Sequence, residues 1–167
     1  IWADVSRSLT YNTAATGRWR FAVQNNVAFA ANGADTVQAS VSSGPFSDIG
    51  GAPIAGIIET VGAFFFAANT STFSNGIQWA GVNGYTSWTS SINTQAGNTT
   101  LTSTPGPITA ARRFGNALVV YKKDSMYLGI YSGPPNIWDF NLIPGNVGAM
   151  SQEVVVNIGT ADNPRHL

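Results

Sequence analysis

The sequence contains no cysteine, and its single histidine, His166, stands one residue from the end. The first absence excludes disulfides, thiolate zinc sites and cysteine nucleophiles from these residues. The second excludes an internal histidine-based triad or a multi-histidine metal site, and it leaves His166 to be read as a solvated tail residue. Charge is scarce: 10% of the 167 residues are Asp, Glu, Lys or Arg, against roughly 25% in an average soluble protein. Eight basic and eight acidic side chains cancel, so the basic footprint of a freestanding nucleic-acid module is missing. No stretch reaches the roughly 18 apolar residues that a spanning helix needs. The longest apolar run, Ala63–Ala68, suits a buried strand, and no secretory leader pattern is visible. Helix signals are almost absent too, since no window places apolar residues at i, i+3, i+4 and i+7 behind a cap.

What the sequence does contain is a repeat. Trp19–Asn32 reads WRFAVQNNVAFAAN, Ile54–Asn69 reads IAGIIETVGAFFFAAN and Ile108–Lys123 reads ITAARRFGNALVVYKK. Each is an apolar run, a short turn and a second apolar run. In the first, Trp19, Phe21 and Val23 alternate with polar or small residues, as in a half-buried strand. Asn25-Asn26 tolerates the positive φ of a two-residue hairpin turn, and Val27, Phe29 and Ala31 continue the alternation. Asn32-Gly33 and Asp35 mark the next turn, and Val37–Val41 reads as a third strand.

The second unit follows the Gly/Pro-rich stretch 44–53. Ile54–Glu59 leads to a turn near Val61-Gly62. Phe64–Ala68 is apolar on both faces and is expected between neighbours. Gly76–Ala80, with Trp79, and Tyr85–Ile92, with Trp88, complete the unit. After the Ser/Thr/Gly/Pro stretch 94–107, Ile108–Phe114 and Ala117–Tyr121 flank a Gly115-Asn116 turn. Ser125–Tyr131 and Asn136–Ile143, with Trp138, follow. Ala149–Ile158 reads as the start of a further unit, and Trp2 as the outgoing strand of an earlier one.

A strand-rich unit recurring every 43 to 54 residues has the size of a four-stranded propeller blade. The expected fold is therefore all-β, a β-propeller-like repeat of four-stranded blades. Its units lie at about 1–17, 18–49, 50–94, 106–147 and 148–167, within one domain. Closed rings hold about four to eight blades, so an incomplete propeller, part of a longer chain, is expected.

Candidate chemistry is thin. The carboxylates Asp4, Asp35, Asp48, Glu59, Asp124, Asp139, Glu153 and Asp162 are scattered, whereas a glycosidase needs two facing each other across a substrate. Asp35, Asp48 and Asp124 suit turns and caps. No catalytic residue, metal ligand or cofactor is assigned. Val82–Trp88, VNGYTSW, approaches the Asp-containing turn of sialidase-type propellers, with Asn83 in the Asp place and one residue too many. Asn69-Thr70-Ser71 and Asn98-Thr99-Thr100 match the N-glycosylation pattern, as chance allows in so Thr/Asn-rich a chain. Trp19, Trp79, Trp88, Trp138, Tyr127 and Tyr131 could form a sugar-stacking platform, but recurrence in successive units points to the core. The pairs Arg112-Arg113 and Lys122-Lys123 are the candidate DNA-facing residues. Neighbours on a strand point to opposite faces, so charges that keep strand edges from pairing are the competing reading.

An ordered set of segments carries a resemblance: Trp2–Arg7 (WADVSR), Trp19–Phe21, Asn32–Gln38 (NGADTVQ), Ile77–Trp88 (IQWAGVNGYTSW), Ser125–Ile143 with YSGPPNIWDF, and Gly148–Val156. Together they resemble the β-propeller virion proteins of short-tailed bacteriophages, which serve at the portal as tail tube, nozzle or head-stabilising plug. The resemblance implies a mechanical role in the virion tail. It implies a homo-oligomeric ring, contacts with other tail subunits, transient contact with phage DNA, and no membrane, cofactor or catalysis. The alternatives are a secreted carbohydrate-binding or glycosidase-type propeller and a bacterial propeller scaffold for protein partners.

Overall fold

Twelve strands among the described residues account for the fold, and their boundaries follow the turn chemistry. The computed structural model describes residues 3–15, 17–160 and 163–167; the expected strand position at Trp2 and the carboxylate of Asp162 lie outside the described residues. The first sheet is β1 (Arg20–Gln24), β2 (Val27–Ala31), β3 (Gln38–Val41) and β4 (Ser47–Asp48). The second is β5 (Ala55–Val61), β6 (Phe64–Thr70), β7 (Gly76–Trp79) and β8 (Gly97–Thr100). The third is β9 (Ala110–Phe114), β10 (Ala117–Tyr121), β11 (Met126–Gly133) and β12 (Ile137–Ile143). Each sheet is an antiparallel meander with its strands in chain order. No α-helix occurs among the described residues, only a 3-10 turn at Gln152–Val154.

The repeated segments are the opening hairpins of the three sheets. Each closes with a two-residue turn, so Gln24 pairs with Val27, Val61 with Phe64 and Phe114 with Ala117. The first turn residue is left-handed each time: Asn25 at φ 50, Gly62 at φ 54 and Gly115 at φ 62. Asn and Gly are the residues that reach this region at least cost.

The sheets pack face to face in chain order. Val27, Phe29 and Ala39 of the first sheet meet Ile58, Phe65 and Ala67 of the second. Phe29 and Phe65 stack at 4.0 Å between ring centroids. On the other face of the middle sheet, Ile57, Phe64, Phe66 and Trp79 meet Leu118, Val120, Tyr127 and Trp138 of the third. Strand β6 thus alternates between two cores, which is why its run from Phe64 to Ala68 has no polar face. Each large side chain so buried contributes about 1.5–3 kcal/mol. The first strands of the sheets lie side by side: Gln24 Nε2 donates to Gly62 O (2.9 Å) and Thr60 Oγ1 to Val23 O (3.4 Å).

Three expectations are corrected. Tyr85–Ile92 is not a strand. It is a loop wrapped around buried Trp88, whose Nε1 donates to Tyr85 O (2.8 Å). The fourth strand of the second sheet is β8, inside the stretch read as a linker, so that unit runs to Thr100 rather than 94. Trp88 therefore lies on a loop, whereas Trp138 lies on a strand. The third correction concerns Phe21 and Val23, which are 64% and 67% exposed. The two-residue turn sets Val23 opposite Ala28, so Phe21 and Val23 share a face with Ala28 and Ala30. The Val27, Phe29, Ala31 set faces the other way, into the core.

The outer faces of the end sheets are partly covered by non-strand chain. Residues 3–15 lie along the first sheet, with Phe46 N–H donating to Val5 O (2.8 Å). On the third, Ala149 and Val155 pack against Ala110, Val119 and Tyr121. The Gln152 carboxamide makes two strand-like bonds to Ala111, accepting from its N–H (2.7 Å) and donating to its carbonyl (2.9 Å). Residues 149–158, read as the start of a further unit, hold this 3-10 turn and no strand of the three sheets.

Candidate functional site

The densest polar arrangement is one the sequence did not reveal. Arg7, on the segment that covers the first sheet, donates from Nη2 to Asp35 Oδ1 (2.7 Å) and from Nη1 to Asp48 Oδ1 (2.6 Å). Asp35 follows the Asn32-Gly33 turn, in which Asn32 Oδ1 accepts the N–H groups of Ala34 and Asp35. The Asp35 carboxylate also accepts from Asn12 N–H, Asn12 Nδ2 and Asn32 Nδ2. Burial raises its pKa, but the bonds from Asn32, Asn12 and Arg7 outweigh burial and hold it at about 2. A carboxyl so strongly ionised accepts hydrogen bonds and has no proton to give near neutral pH. Two carboxylates do meet here, 28 and 41 residues away from Arg7 in sequence, yet they meet across a guanidinium that pairs with both.

Beside this cluster lies a cleft of about 310 Å³ lined by Val5, Ser6, Tyr11, Trp19, Phe21, Ala30, Gln38 and Phe46. Tyr11 is fixed by Arg7, whose guanidinium lies 4.7 Å over the ring and whose N–H donates to the phenol oxygen (3.0 Å). Trp19 stands edge-on to Tyr11 at 4.9 Å and stacks with Phe21 at 6.3 Å and 20°. Gln38 is fully buried, and its Nε2 has no partner.

The four candidate DNA-facing residues do not form one surface. The Arg112 guanidinium donates to the carbonyls of Val155 (3.0 Å) and Gln152 (2.9 Å), which fastens the covering segment to β9. Arg113 is exposed, and its Nε donates to Gly115 O (2.8 Å). Lys122 is only 1% exposed. Its Nζ donates to Leu101 O and Thr104 O, both at 2.6 Å, pinning the connection between the second and third sheets, and burial lowers its pKa. Lys123 is exposed. Of the four, Arg113 and Lys123 are exposed, Arg112 is partly exposed but bound to the covering segment, and Lys122 is a buried structural amine.

His166 is not a free tail residue. Its Nε2 lies 2.8 Å from Arg113 O and its Nδ1 2.7 Å from the Tyr121 hydroxyl, with Phe114 against the ring. A carbonyl can only accept, so the neutral ring donates from Nε2 and accepts from Tyr121 at Nδ1. Of the aromatics considered for sugar stacking, Trp79, Trp88, Trp138 and Tyr127 are buried, as the core reading expected. Trp19 is half-buried and Tyr131 is 44% exposed.

Glu59, on β5, is held above the usual carboxylate range by burial, although Arg112 Nη1 stands 3.9 Å away. Among the described residues no group of three or more His, Cys, Asp or Glu is placed to hold a metal ion. No helix among them is long and apolar enough to cross a membrane. No protein-family model matches the chain, and no curated protein matches it.

Proposed function

We propose that the chain is a structural component of a short-tailed phage virion, a portal-proximal tail tube or nozzle part built from propeller-like blades. The observation that carries this reading is the threefold recurrence of a four-stranded meander, each stacked on the next with its first strand beside the first strand of its neighbour. Blades of a propeller have this organisation. The ordered segments that resemble the phage proteins supply the virion setting. The low charge and the ion-paired Arg7–Asp35–Asp48 cluster fit a scaffold better than a glycosidase, since Asp35, with its pKa held at about 2, cannot serve as a general acid. Contact with DNA rests on Arg113 and Lys123 and is a minor part of the reading.

The test is assembly. The full polypeptide, purified and mixed with portal and tail proteins of a short-tailed phage, is expected to form rings visible by electron microscopy and to co-purify with them. A protein that stays monomeric and is absent from assembled tails refutes the virion role.

A further inference from the structure

The geometry points to a carbohydrate-binding subsite on the outer face of the first sheet, in the cleft between Trp19, Phe21 and Gln38, that takes one neutral pyranose ring. Three observations meet there. The first is a platform: Trp19 and Phe21 lie within 20° of parallel, and Phe21 is 64% exposed. An exposed aromatic, instead of one turned into a core, offers a ring face on which the C–H side of a sugar ring packs. The second is an unmet donor. Gln38 is fully buried on β3, and its Nε2 has no hydrogen-bond partner, an arrangement that is costly unless something accepts the proton. Gln38 lines the cleft, so a turn of its carboxamide brings that donor to a sugar hydroxyl or ring oxygen.

The third observation is charge. No lining residue is an acid or a base apart from the phenol of Tyr11, and the nearby Arg7 is already paired with Asp35 and Asp48. The subsite therefore selects a neutral ligand with oxygen acceptors and an apolar face, which describes a neutral hexose better than a phosphate, a carboxylate or a basic peptide. The wall opposite the platform is preorganised. The Tyr11 hydroxyl accepts from Arg7 N–H and faces Gln38 Oε1 at 3.5 Å, while Asp35 anchors Arg7 and Asn12 on either side of Tyr11. The cleft volume, about 310 Å³, lies at the small end of ligand sites, about 300–1,000 Å³, so it holds a single ring of a longer glycan. Sugar binding here is independent of the assembly role, and either can fail alone.

The test uses the whole chain with cellotriose, chitotriose and maltotriose as probes, followed by saturation-transfer NMR and by the Trp19 indole N–H resonance. One ring of about a dozen non-hydrogen atoms at ordinary ligand efficiency gives a dissociation constant of about 1–10 mM. At least one probe is expected to bind in that range and to shift the Trp19 signal. Phe21→Ala, at an exposed position that leaves the core intact, is expected to weaken binding about five- to tenfold. Gln38→Leu, which keeps the size and removes the donor, is expected to weaken it about three- to tenfold. The inference is overturned if none of the three probes moves the Trp19 resonance at roughly ten times that concentration. It is equally overturned if binding survives Phe21→Ala unchanged, or if a proline-rich peptide occupies the cleft and the sugars do not.

Discussion

Replacing Asp35 with Asn tests the polar cluster in a way that separates electrostatics from packing. The shape is kept and the charge removed. In the folded protein the Asp35 pKa falls from 3.8 to about 2. At about 1.4 kcal/mol per unit, that shift corresponds to about 2 kcal/mol of stability. The side chain is buried, 5% exposed, so solvent screening takes little of this away. Losing the carboxylate also leaves Arg7 with the more exposed Asp48 alone, and unpairing a buried ion costs about 3–5 kcal/mol when no partner remains. At neutral pH the expected loss is therefore about 2–4 kcal/mol.

The pH dependence fixes the cause. A carboxyl with a depressed folded pKa contributes stability above its unfolded value of 3.8, and that contribution disappears as pH falls toward about 2. The difference between wild type and Asp35→Asn should thus narrow by about 2 kcal/mol between neutral pH and about pH 2. Urea unfolding at several pH values measures the global term. Hydrogen exchange of the Phe46 amide, which bonds to Val5 O, reports whether residues 3–15 lift from the sheet before the rest unfolds. A gap that is the same at both pH values, or below about 0.5 kcal/mol at neutral pH, refutes the electrostatic account.

Three further outcomes are expected. Gly97→Ala places a Cβ 2.5 Å from Cζ2 of Trp79; the displaced indole should cost about 1–3 kcal/mol in a denaturant melt and shift the near-ultraviolet dichroism. Lys122→Met removes the amine that bonds Leu101 O and Thr104 O; a loss of about 2–3 kcal/mol is expected. Because burial lowers the Lys122 pKa from 10.5, the unfolded chain binds that proton more tightly. Wild type should then gain on the variant as pH rises through the folded pKa toward 10.5, which alkaline melts can check. Replacing both Asn25 and Asn26, at φ 50 and φ 61, with Ala should cost about 1–2 kcal/mol, whereas Asn26→Gly should leave the urea midpoint unchanged or raise it.

The opening hairpins were legible because turn chemistry and apolar runs agree there. Gly115-Asn116 and Asn25-Asn26 fall where sequence places them, and Phe64–Ala68 is buried on both sides as its composition requires. Strand β8 was hidden because Gly97–Thr100 is an edge strand with little apolar content, so periodicity has nothing to report. Tyr85–Ile92 misled for the converse reason: its aromatics serve a loop that folds around Trp88. The faces of β1 were readable in principle, because a two-residue turn puts Val23 opposite Ala28, and the exposed fate of Phe21 follows from that register. The Arg7 cluster was not readable, since nothing local links Arg7 with residues 28 and 41 positions away. The same holds for His166, whose docking depends on a Tyr121 hydroxyl brought near only by the third sheet.

The alternation of β6 between two cores has a consequence in time. A first sheet emerging during synthesis has no surface on which to lay Val27, Phe29 and Ala39 until Phe65 and Ala67 arrive. The third sheet, by contrast, emerges when Phe64 and Phe66 are already in place to receive it. One short strand therefore acts as the keystone of an ordered maturation, in which either end can fray alone but the middle can leave only by dissolving both joints.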